Sequence, residues 1–233
     1  MPPRAKRPRT DATTPVTKKA KRAAARAVLA AIPGASGAFS QAMQEDVLAR
    51  LAPAVTLRTA ADTRVRWNTR TAGAPKNVDI VHGLCPSRGD LDALGADGFF
   101  VLAHSFGNRV LCEMLATDAL PLVKGVILLG YPLYGPKNNE ERVDQLRLLP
   151  PGLPTLVVSG EKDEFLHRPF LDRRGAELMQ SVVASLNLQH GEVHVLENGS
   201  HDLPKTKGKD QRNATLTTAD RLLYLITKFC TGS

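Results

Sequence analysis

Short runs of consecutive apolar residues alternate along this chain with stretches in which apolar residues recur every three or four positions. The uninterrupted runs fall at residues 27–32, 99–103, 125–130 and 154–159. Such runs are typical of strands that are buried on both faces of a parallel sheet. A fifth segment, residues 192–196, alternates apolar and polar side chains and predicts one more strand.

Between these runs, apolar residues mostly recur with the period of a helix. This pattern predicts helices over residues 39–51, 108–117, 174–186 and 218–229, and a shorter one over 78–84. Residues 55–59 and 64–67 both carry a strand pattern, and we favour 65–67 as the second strand. Residues 69–97 show no other convincing period. Alternating strands and helices predict an α/β fold with a doubly wound, mostly parallel sheet and right-handed connections.

Length and composition suit one α/β domain. The chain has 233 residues, of which 42% are apolar, enough for a single sizeable core. Its net charge of +8 belongs to residues 1–26, which contain nine Lys or Arg and one Asp. The remaining 22 basic and 22 acidic residues cancel. We therefore divide the chain into a basic tail, 1–26, and a domain, 27–233, and we expect no nucleic-acid binding by the folded domain.

The basic tail has few apolar side chains and is expected to be disordered. It carries two basic clusters separated by ten residues: Lys6 and Arg7, then Lys18, Lys19, Lys21 and Arg22. Clusters at this spacing resemble a bipartite nuclear import signal, whose basic side chains bind acidic grooves on an import carrier. The alternative interpretation is a solvated polybasic tail or a loose contact with nucleic acid. The first interpretation predicts a nuclear location and the second a cytoplasmic one.

The sequence lacks the features of a membrane span, a metal site or a disulfide framework. No segment approaches eighteen consecutive apolar residues, which a membrane helix requires. Cys85, Cys112 and Cys230 are widely spaced and include no C-x-x-C pair, so we expect reduced thiols. We therefore expect an intracellular protein that needs neither a metal nor another cofactor.

A turn with the sequence Ala-His-Ser-Phe-Gly, residues 103–107, lies between the second apolar run and a predicted helix. The tip of such a turn is where a serine hydrolase places its nucleophile. The residues two before and two after the serine must be small, because strand and helix backbones nearly touch there. Ala103 and Gly107 meet this requirement, although glycine is usual at the first position. Ser105 is the candidate nucleophile, and the alternative is a serine that only caps the helix.

A carboxylate and a histidine follow later strands, in the chain order of an α/β-hydrolase triad. Asp163 comes after the fourth apolar run and His201 after the last predicted strand. Because the carboxyl ends of parallel strands meet at one edge of a sheet, these residues can meet Ser105 there. We expect His201 to accept the Ser105 proton and Asp163 to orient His201. Glu161 and Glu164 are alternative acids in the same loop.

The oxyanion of an acyl-transfer reaction needs two backbone N–H donors. One is expected from Phe106, directly after the nucleophile, and the other from Ala35 in the turn after the first strand. Gly34 and Gly37 flank Ala35 and allow a close backbone approach. His104 precedes the nucleophile, is expected to point away from the cleft, and is given no catalytic role.

Several motifs resemble one known family of α/β-hydrolase domains. Residues 105–110 read Ser-Phe-Gly-Asn-Arg-Val, residues 130–133 read Gly-Tyr-Pro-Leu, and residues 160–165 read Gly-Glu-Lys-Asp-Glu-Phe. They resemble S-M-G-G-R-V, G-Y-P-L and G-x-x-D-x-F in the domain shared by testis-expressed protein 30 and the third regulatory subunit of the non-specific-lethal acetyltransferase complex. Gly-Ala-Ser-Gly at 34–37 is similar to the family's G-A-G-G, so the resemblance covers about residues 27–229.

The resemblance implies a dienelactone-hydrolase-like domain without a large cap domain, with Ser105, Asp163 and His201 as its triad. The chain departs from the family pattern where Ala103 and Asn108 replace glycines and Pro33 replaces a histidine. Two functions follow from it. One is a serine hydrolase that acts on a small carboxylic ester or thioester through an acyl-enzyme. The other is an inactive hydrolase fold that serves as a protein-interaction module in a nuclear complex.

Overall fold

A computed structural model describes residues 26–59, 64–68, 74–135, 140–166, 175–186, 191–203 and 217–232. In this part of the chain, six strands form one sheet in the order β2-β1-β3-β4-β5-β6, and every neighbouring pair is parallel. The strands are β1 (Ala27–Ile32), β2 (Val55–Thr59), β3 (Phe99–His104), β4 (Val123–Leu129), β5 (Thr155–Gly160) and β6 (Glu192–Leu196). The two basic clusters of the tail lie outside the described residues.

Helices connect the strands. A π-helical segment, Met43–Leu48, runs into α1 (Ala49–Leu51), and a 3-10 turn, Ala74–Asn77, runs into α2 (Val78–Leu84). The others are α3 (Arg88–Leu94), α4 (Phe106–Ala116), α5 (Val143–Leu146), α6 (Gly175–Ser185) and α7 (Thr218–Thr231). No helix among the described residues is long and apolar enough to cross a membrane.

The core consists of two apolar layers, one on each face of the sheet. Strand β1 contributes to both, because successive side chains of a strand point to opposite faces. Its residues Val28 and Ala30 pack with α4 and α6, whereas Leu29 and Ala31 pack with the 43–51 segment and α7. A strand covered on both faces must be apolar throughout, which explains the uninterrupted runs in the sequence.

The strand order reverses direction at β1, since β2 lies on one side of β1 and β3 on the other. At such a point the loops after the two adjacent strands diverge to opposite faces and leave a crevice at the carboxyl edge of the sheet. The turn after β1 begins at Pro33, and the turn after β3 contains Ser105. The topology therefore places the candidate oxyanion turn beside the candidate nucleophile.

The predicted second strand at 65–67 is wrong. Strand β2 is Val55–Thr59 instead, and it pairs in parallel with β1, with Val55 opposite Ala27. Val55 is buried against the second core layer, whereas residues 64–68 lie outside the sheet. Both segments have strand-like sequences, and the choice between them depended on which one pairs with β1.

Residues 69–97 contain more regular structure than the sequence analysis predicts. The helix expected over 78–84 is present as α2, and α3 was missed. Helix α3 begins with a capping box, in which Ser87 Oγ accepts from the Asp90 N–H and the Asp90 carboxylate accepts from the Ser87 N–H. The Ser-x-x-Asp spacing was the available signal for this helix.

Candidate active site

Ser105 occupies a strained turn between β3 and α4. Its φ of 51° and ψ of −117° lie in a region that favours glycine. This conformation turns the chain sharply from strand to helix, so that the side chain stands clear of both elements. The same geometry accounts for the absence of a capping hydrogen bond from its side chain to α4.

The small residues around Ser105 have different packing. A Cβ atom on Gly107 would lie 2.5 Å from the Pro33 carbonyl oxygen and 2.9 Å from Ile32 Cγ2. Gly107 therefore permits the close approach of α4 to β1. Ala103, where glycine is usual, is fully buried within the first core layer, which accommodates its methyl group.

The structure brings Ser105, His201 and Asp163 into one chain of hydrogen bonds. His201 Nε2 lies 2.7 Å from Ser105 Oγ, and His201 Nδ1 lies 2.9 and 3.0 Å from the two Asp163 carboxylate oxygens. Since a carboxylate accepts, Nδ1–H donates to Asp163, and Nε2 accepts from the Ser105 hydroxyl. The Asp163 side chain is 0% exposed and that of His201 is 12% exposed, so the carboxylate end of the chain is closed to solvent.

The loops that carry Asp163 and His201 are held against each other. The Glu161 and Lys162 N–H groups donate to Leu196 O and Gly199 O, at 2.9 and 2.7 Å. A Cβ atom on Gly160 would overlap the Gly199 backbone, so the two loops pack without side chains between them. Asp163 Oδ1 also accepts from the Phe165 N–H at 2.8 Å, which fixes its carboxylate.

The alternative acids do not occupy the Asp163 position. The Glu161 carboxylate accepts from the Asn198 N–H at 2.9 Å, so it joins the two loops at the surface. Glu164 is exposed to solvent. Among the described residues, no group of three or more His, Cys, Asp or Glu side chains has the arrangement of a metal site.

The turn after β1 lies directly against the nucleophile. A Cβ atom on Gly34 would be 3.2 Å from Ser105 Cβ and 2.9 Å from His104 Nδ1, so glycine is required there. Between described residues, the N–H groups of Ala35 and Phe106 have no hydrogen-bond acceptor. Both are therefore free to bind an oxyanion near Ser105.

Trp67, which the sequence analysis placed in a strand, belongs to a segment that lies over this turn. Its indole Nε1–H donates to the Gly34 carbonyl oxygen at 2.8 Å. Its ring contacts the Phe106 ring edge-to-face, with centroids 5.2 Å apart and an interplanar angle of 87°. It thus binds the carbonyl group of the peptide whose N–H belongs to Ala35, and it touches Phe106, the other residue assigned to the oxyanion hole.

His104 does not point away from the site as expected. Its Nε2–H donates to the His201 carbonyl oxygen at 3.0 Å, and the two imidazole rings lie 5.3 Å apart. Burial lowers the pKa of His104 and outweighs the hydrogen bond to the His201 carbonyl oxygen, which raises it, so the ring is neutral at pH 7. Its contact is with the His201 backbone, and the order of residues along the chain gave no signal for it.

Phe165 is a second aromatic residue at the site that the sequence analysis assigned only to a motif. Its ring lies 4.4 Å from the His201 ring, at an interplanar angle of 54°. The same residue donates its backbone N–H to Asp163. Phe165 thus contacts two members of the hydrogen-bonded chain.

The sequence and the fold identify the family. A family profile for an alpha/beta hydrolase domain matches residues 91–227, which is more than half of the chain. The protein therefore belongs to the α/β-hydrolase family, and the predicted α/β-hydrolase fold is confirmed. The matched region includes Ser105, Asp163 and His201.

Solved structures with the same fold include several hydrolases. The chain is similar to an uncharacterized protein from Bacillus cereus ATCC 10987, with a TM-score of 0.57, 17% identity, and coverage of 99% of this chain and 64% of that one. A monoacylglycerol lipase from Paleococcus ferrophilus gives a TM-score of 0.55 at 10% sequence identity, with coverage of 88% of this chain and 95% of that one. Esterase RhEst1 from Rhodococcus sp. ECU1013 gives a TM-score of 0.50 at 17% sequence identity, with coverage of 89% of this chain and 91% of that one. This chain thus spans less than two thirds of the Bacillus protein. At these identities the likenesses show the fold, and the family supports the prediction of a hydrolase.

Proposed function

We propose that the protein is a serine hydrolase that cleaves a carboxylic ester or a thioester through an acyl-enzyme. The observation that carries this proposal is the 2.7 Å contact between Ser105 Oγ and His201 Nε2, continued by the buried Asp163 carboxylate. Nucleophile, base and orienting acid have the chain order and the loop positions that α/β hydrolases use. A protein-interaction module would not need this arrangement.

In the first half of the reaction, Ser105 Oγ attacks the carbonyl carbon of the substrate and gives its proton to His201 Nε2. Asp163 holds the Nδ1–H tautomer and stabilises the imidazolium that forms. The tetrahedral oxyanion is bound by the N–H groups of Ala35 and Phe106. Collapse of the intermediate expels an alcohol or thiol, which takes the proton from Nε2, and leaves the acyl group on Ser105.

In the second half, a water molecule replaces the leaving group. His201 Nε2 removes a proton from the water, and the oxygen attacks the acyl carbonyl. The second tetrahedral oxyanion is held by the same two N–H groups. Its collapse breaks the acyl–oxygen bond, returns the proton to Ser105 Oγ and releases a carboxylic acid.

A fluorophosphonate probe tests this function because it labels an activated serine covalently. We expect labelling of the wild-type protein and none of Ser105→Ala. Ser185→Ala is a matched control: this serine lies at the end of α6, where its hydroxyl donates to Val182 O at 2.7 Å. It should label like the wild type. Absence of Ser105-dependent labelling would favour the inactive interaction module.

A panel of p-nitrophenyl esters and matching thioesters then defines the acyl group. The aromatic ring of Phe165, which lies 4.4 Å from the His201 ring, favours an apolar acyl chain. We also propose that the protein is functionally related to the family containing testis-expressed protein 30, on the motifs at 105–110, 130–133 and 160–165.

We propose separately that the basic tail directs nuclear import by binding an import carrier. The support is the spacing of its two basic clusters. A fluorescent fusion of the full chain should enrich in the nucleus, and a fusion that lacks residues 1–22 should not. Nuclear enrichment of the shortened fusion would refute this proposal and leave the hydrolase proposal unaffected.

A further inference from the structure

We propose that Trp67 is a positioning residue of the oxyanion hole, because its indole N–H holds the peptide between Gly34 and Ala35 in the orientation that presents the Ala35 N–H to the substrate. This inference rests on the proposed hydrolase function and adds to it a residue outside the triad. Trp67 itself does not touch the reacting atoms. It acts through the backbone of the turn after β1.

Three carbonyl oxygens of this turn bind the segment that contains Trp67. Gly34 O accepts from Trp67 Nε1–H at 2.8 Å, Ser36 O accepts from Arg64 Nε–H at 3.0 Å, and Gly37 O accepts from the Val65 N–H at 2.7 Å. Three carbonyl groups of one short turn thus face residues 64–67.

The hydrogen bond from Trp67 also fixes the direction of the neighbouring N–H. In a planar trans peptide the carbonyl and N–H bonds point in opposite directions. The Gly34 carbonyl points toward Trp67, so the Ala35 N–H of the same peptide points away from it. Between described residues that N–H has no acceptor, as expected for a donor reserved for substrate.

This peptide needs to be held because glycine precedes it. Position 34 must be glycine, since a Cβ atom there would lie 2.9 Å from His104 Nδ1. Glycine, however, gives the peptide freedom to rotate. A rotated peptide would direct the Gly34 carbonyl, in place of the N–H, at the oxyanion and repel it. The Gly34 oxygen has two restraints against this rotation, the Trp67 indole and the Gly37 N–H at 2.9 Å.

Trp67 also supports the second donor. Its ring packs edge-to-face on Phe106, with centroids 5.2 Å apart, and Phe106 supplies the other N–H. The two contacts differ chemically, so they can be separated by substitution. Trp67→Phe keeps an aromatic ring and removes the N–H.

A closer replacement is 3-benzothienylalanine, which has the shape of tryptophan with sulfur in place of the ring N–H. The chain contains a single tryptophan, so replacing every tryptophan with this analogue alters position 67 alone. It separates the loss of the hydrogen bond from any packing defect of Trp67→Phe. Thermal unfolding of each protein shows whether the fold is intact.

The assay measures kcat and KM for a p-nitrophenyl ester and the affinity for a trifluoromethyl ketone, which forms a tetrahedral adduct with the serine. We expect both changes at position 67 to lower kcat about tenfold with KM nearly unchanged, less than the hundredfold or more for losing a donor outright, because the Gly37 N–H remains. Affinity for the ketone should fall by a similar factor. A structural defect alone would not weaken the ketone selectively.

Tyr224→Phe serves as the control, because this tyrosine is 62% exposed on α7 and should leave all three values unchanged. Unchanged kcat in the benzothienylalanine protein, or a rise in KM alone, would overturn the positioning role while the hydrolase function stands. Absence of Ser105-dependent hydrolysis in the wild type would instead overturn the proposed function, and the positioning role with it. A tenfold loss restricted to kcat and ketone affinity supports the proposal.

Discussion

Gly107→Ala is predicted to destabilise the fold because the new methyl group has no room between α4 and β1. The Cβ atom would lie 2.5 Å from the Pro33 carbonyl oxygen, and an ordinary contact needs at least 3.4 Å. The backbones must therefore separate by about 0.9 Å in a region packed at the density of a core. Ile32 Cγ2, at 2.9 Å from the same Cβ position, blocks a sideways adjustment.

The magnitude follows from two opposing effects. Overpacking in a core costs about 1–3 kcal/mol, whereas replacing glycine with alanine in a helix gains about 0.4–1 kcal/mol. We expect a net loss of about 1 kcal/mol in the free energy of unfolding, equivalent to a Tm lower by about 2–4 °C for a domain of this size. The displacement also moves the Phe106 N–H, so esterase activity should fall at temperatures where the variant is folded.

Gly83→Ala is the matched control, because no atom lies within 4 Å of a Cβ at that position of α2. The same chemical change should there stabilise the protein by up to about 1 kcal/mol. Urea unfolding followed by circular dichroism measures both free energies. Equal stability of Gly107→Ala and the wild type would refute the close approach of α4 to β1, as would equal shifts in the two variants.

Four further predictions concern the site and the thiols. Ser105→Gly should be more stable than Ser105→Ala by about 1 kcal/mol in urea unfolding, because glycine relieves the positive φ; equal stabilities would argue against a strained turn. Asp163→Asn should lower kcat on the order of ten thousandfold by stabilising the wrong His201 tautomer, and a loss below tenfold would contradict the assigned acid. Burial lowers the pKa of His104, so the folded state resists its protonation and the free energy of unfolding should decrease as pH falls below about 6.5. His104→Asn should show a smaller decrease in this free energy between pH 7.5 and 5. An equal decrease in the variant and the wild type would exclude His104 as the cause. Burial raises the pKa of Cys85 to about 12, so iodoacetamide at pH 8 should modify it only after unfolding, and rapid modification of the folded protein would contradict this.

The sequence alone was sufficient for the fold class and for five of the six strands in the described part of the chain. Strands β1, β3, β4 and β5 are buried on both faces, and this burial leaves a local trace as uninterrupted apolar runs. Chirality and parallel pairing then restrict how such strands connect. The positions of Ser105, Asp163 and His201 after β3, β5 and β6 follow from the same rules, because parallel strands carry their following loops to one edge.

The sequence alone could not select β2. Residues 55–59 and 64–67 both have strand-like sequences, and only pairing with β1 distinguishes them. A strand at the edge of a sheet is specified by its partner as much as by its own residues. The choice made from local pattern was therefore wrong, whereas the other edge strand, β6, had no competing segment and was found.

The contacts that complete the candidate site were decided by the tertiary structure. Trp67 reaches Gly34 across 33 positions in the sequence, and His104 reaches the His201 carbonyl across 97. No apolar period, sequence motif or order of residues along the chain predicts either contact, because each depends on two segments of backbone that meet only after the sheet has formed. Local sequence determined which residues could react and at which edge they would lie, and long-range packing decided which neighbours hold them there.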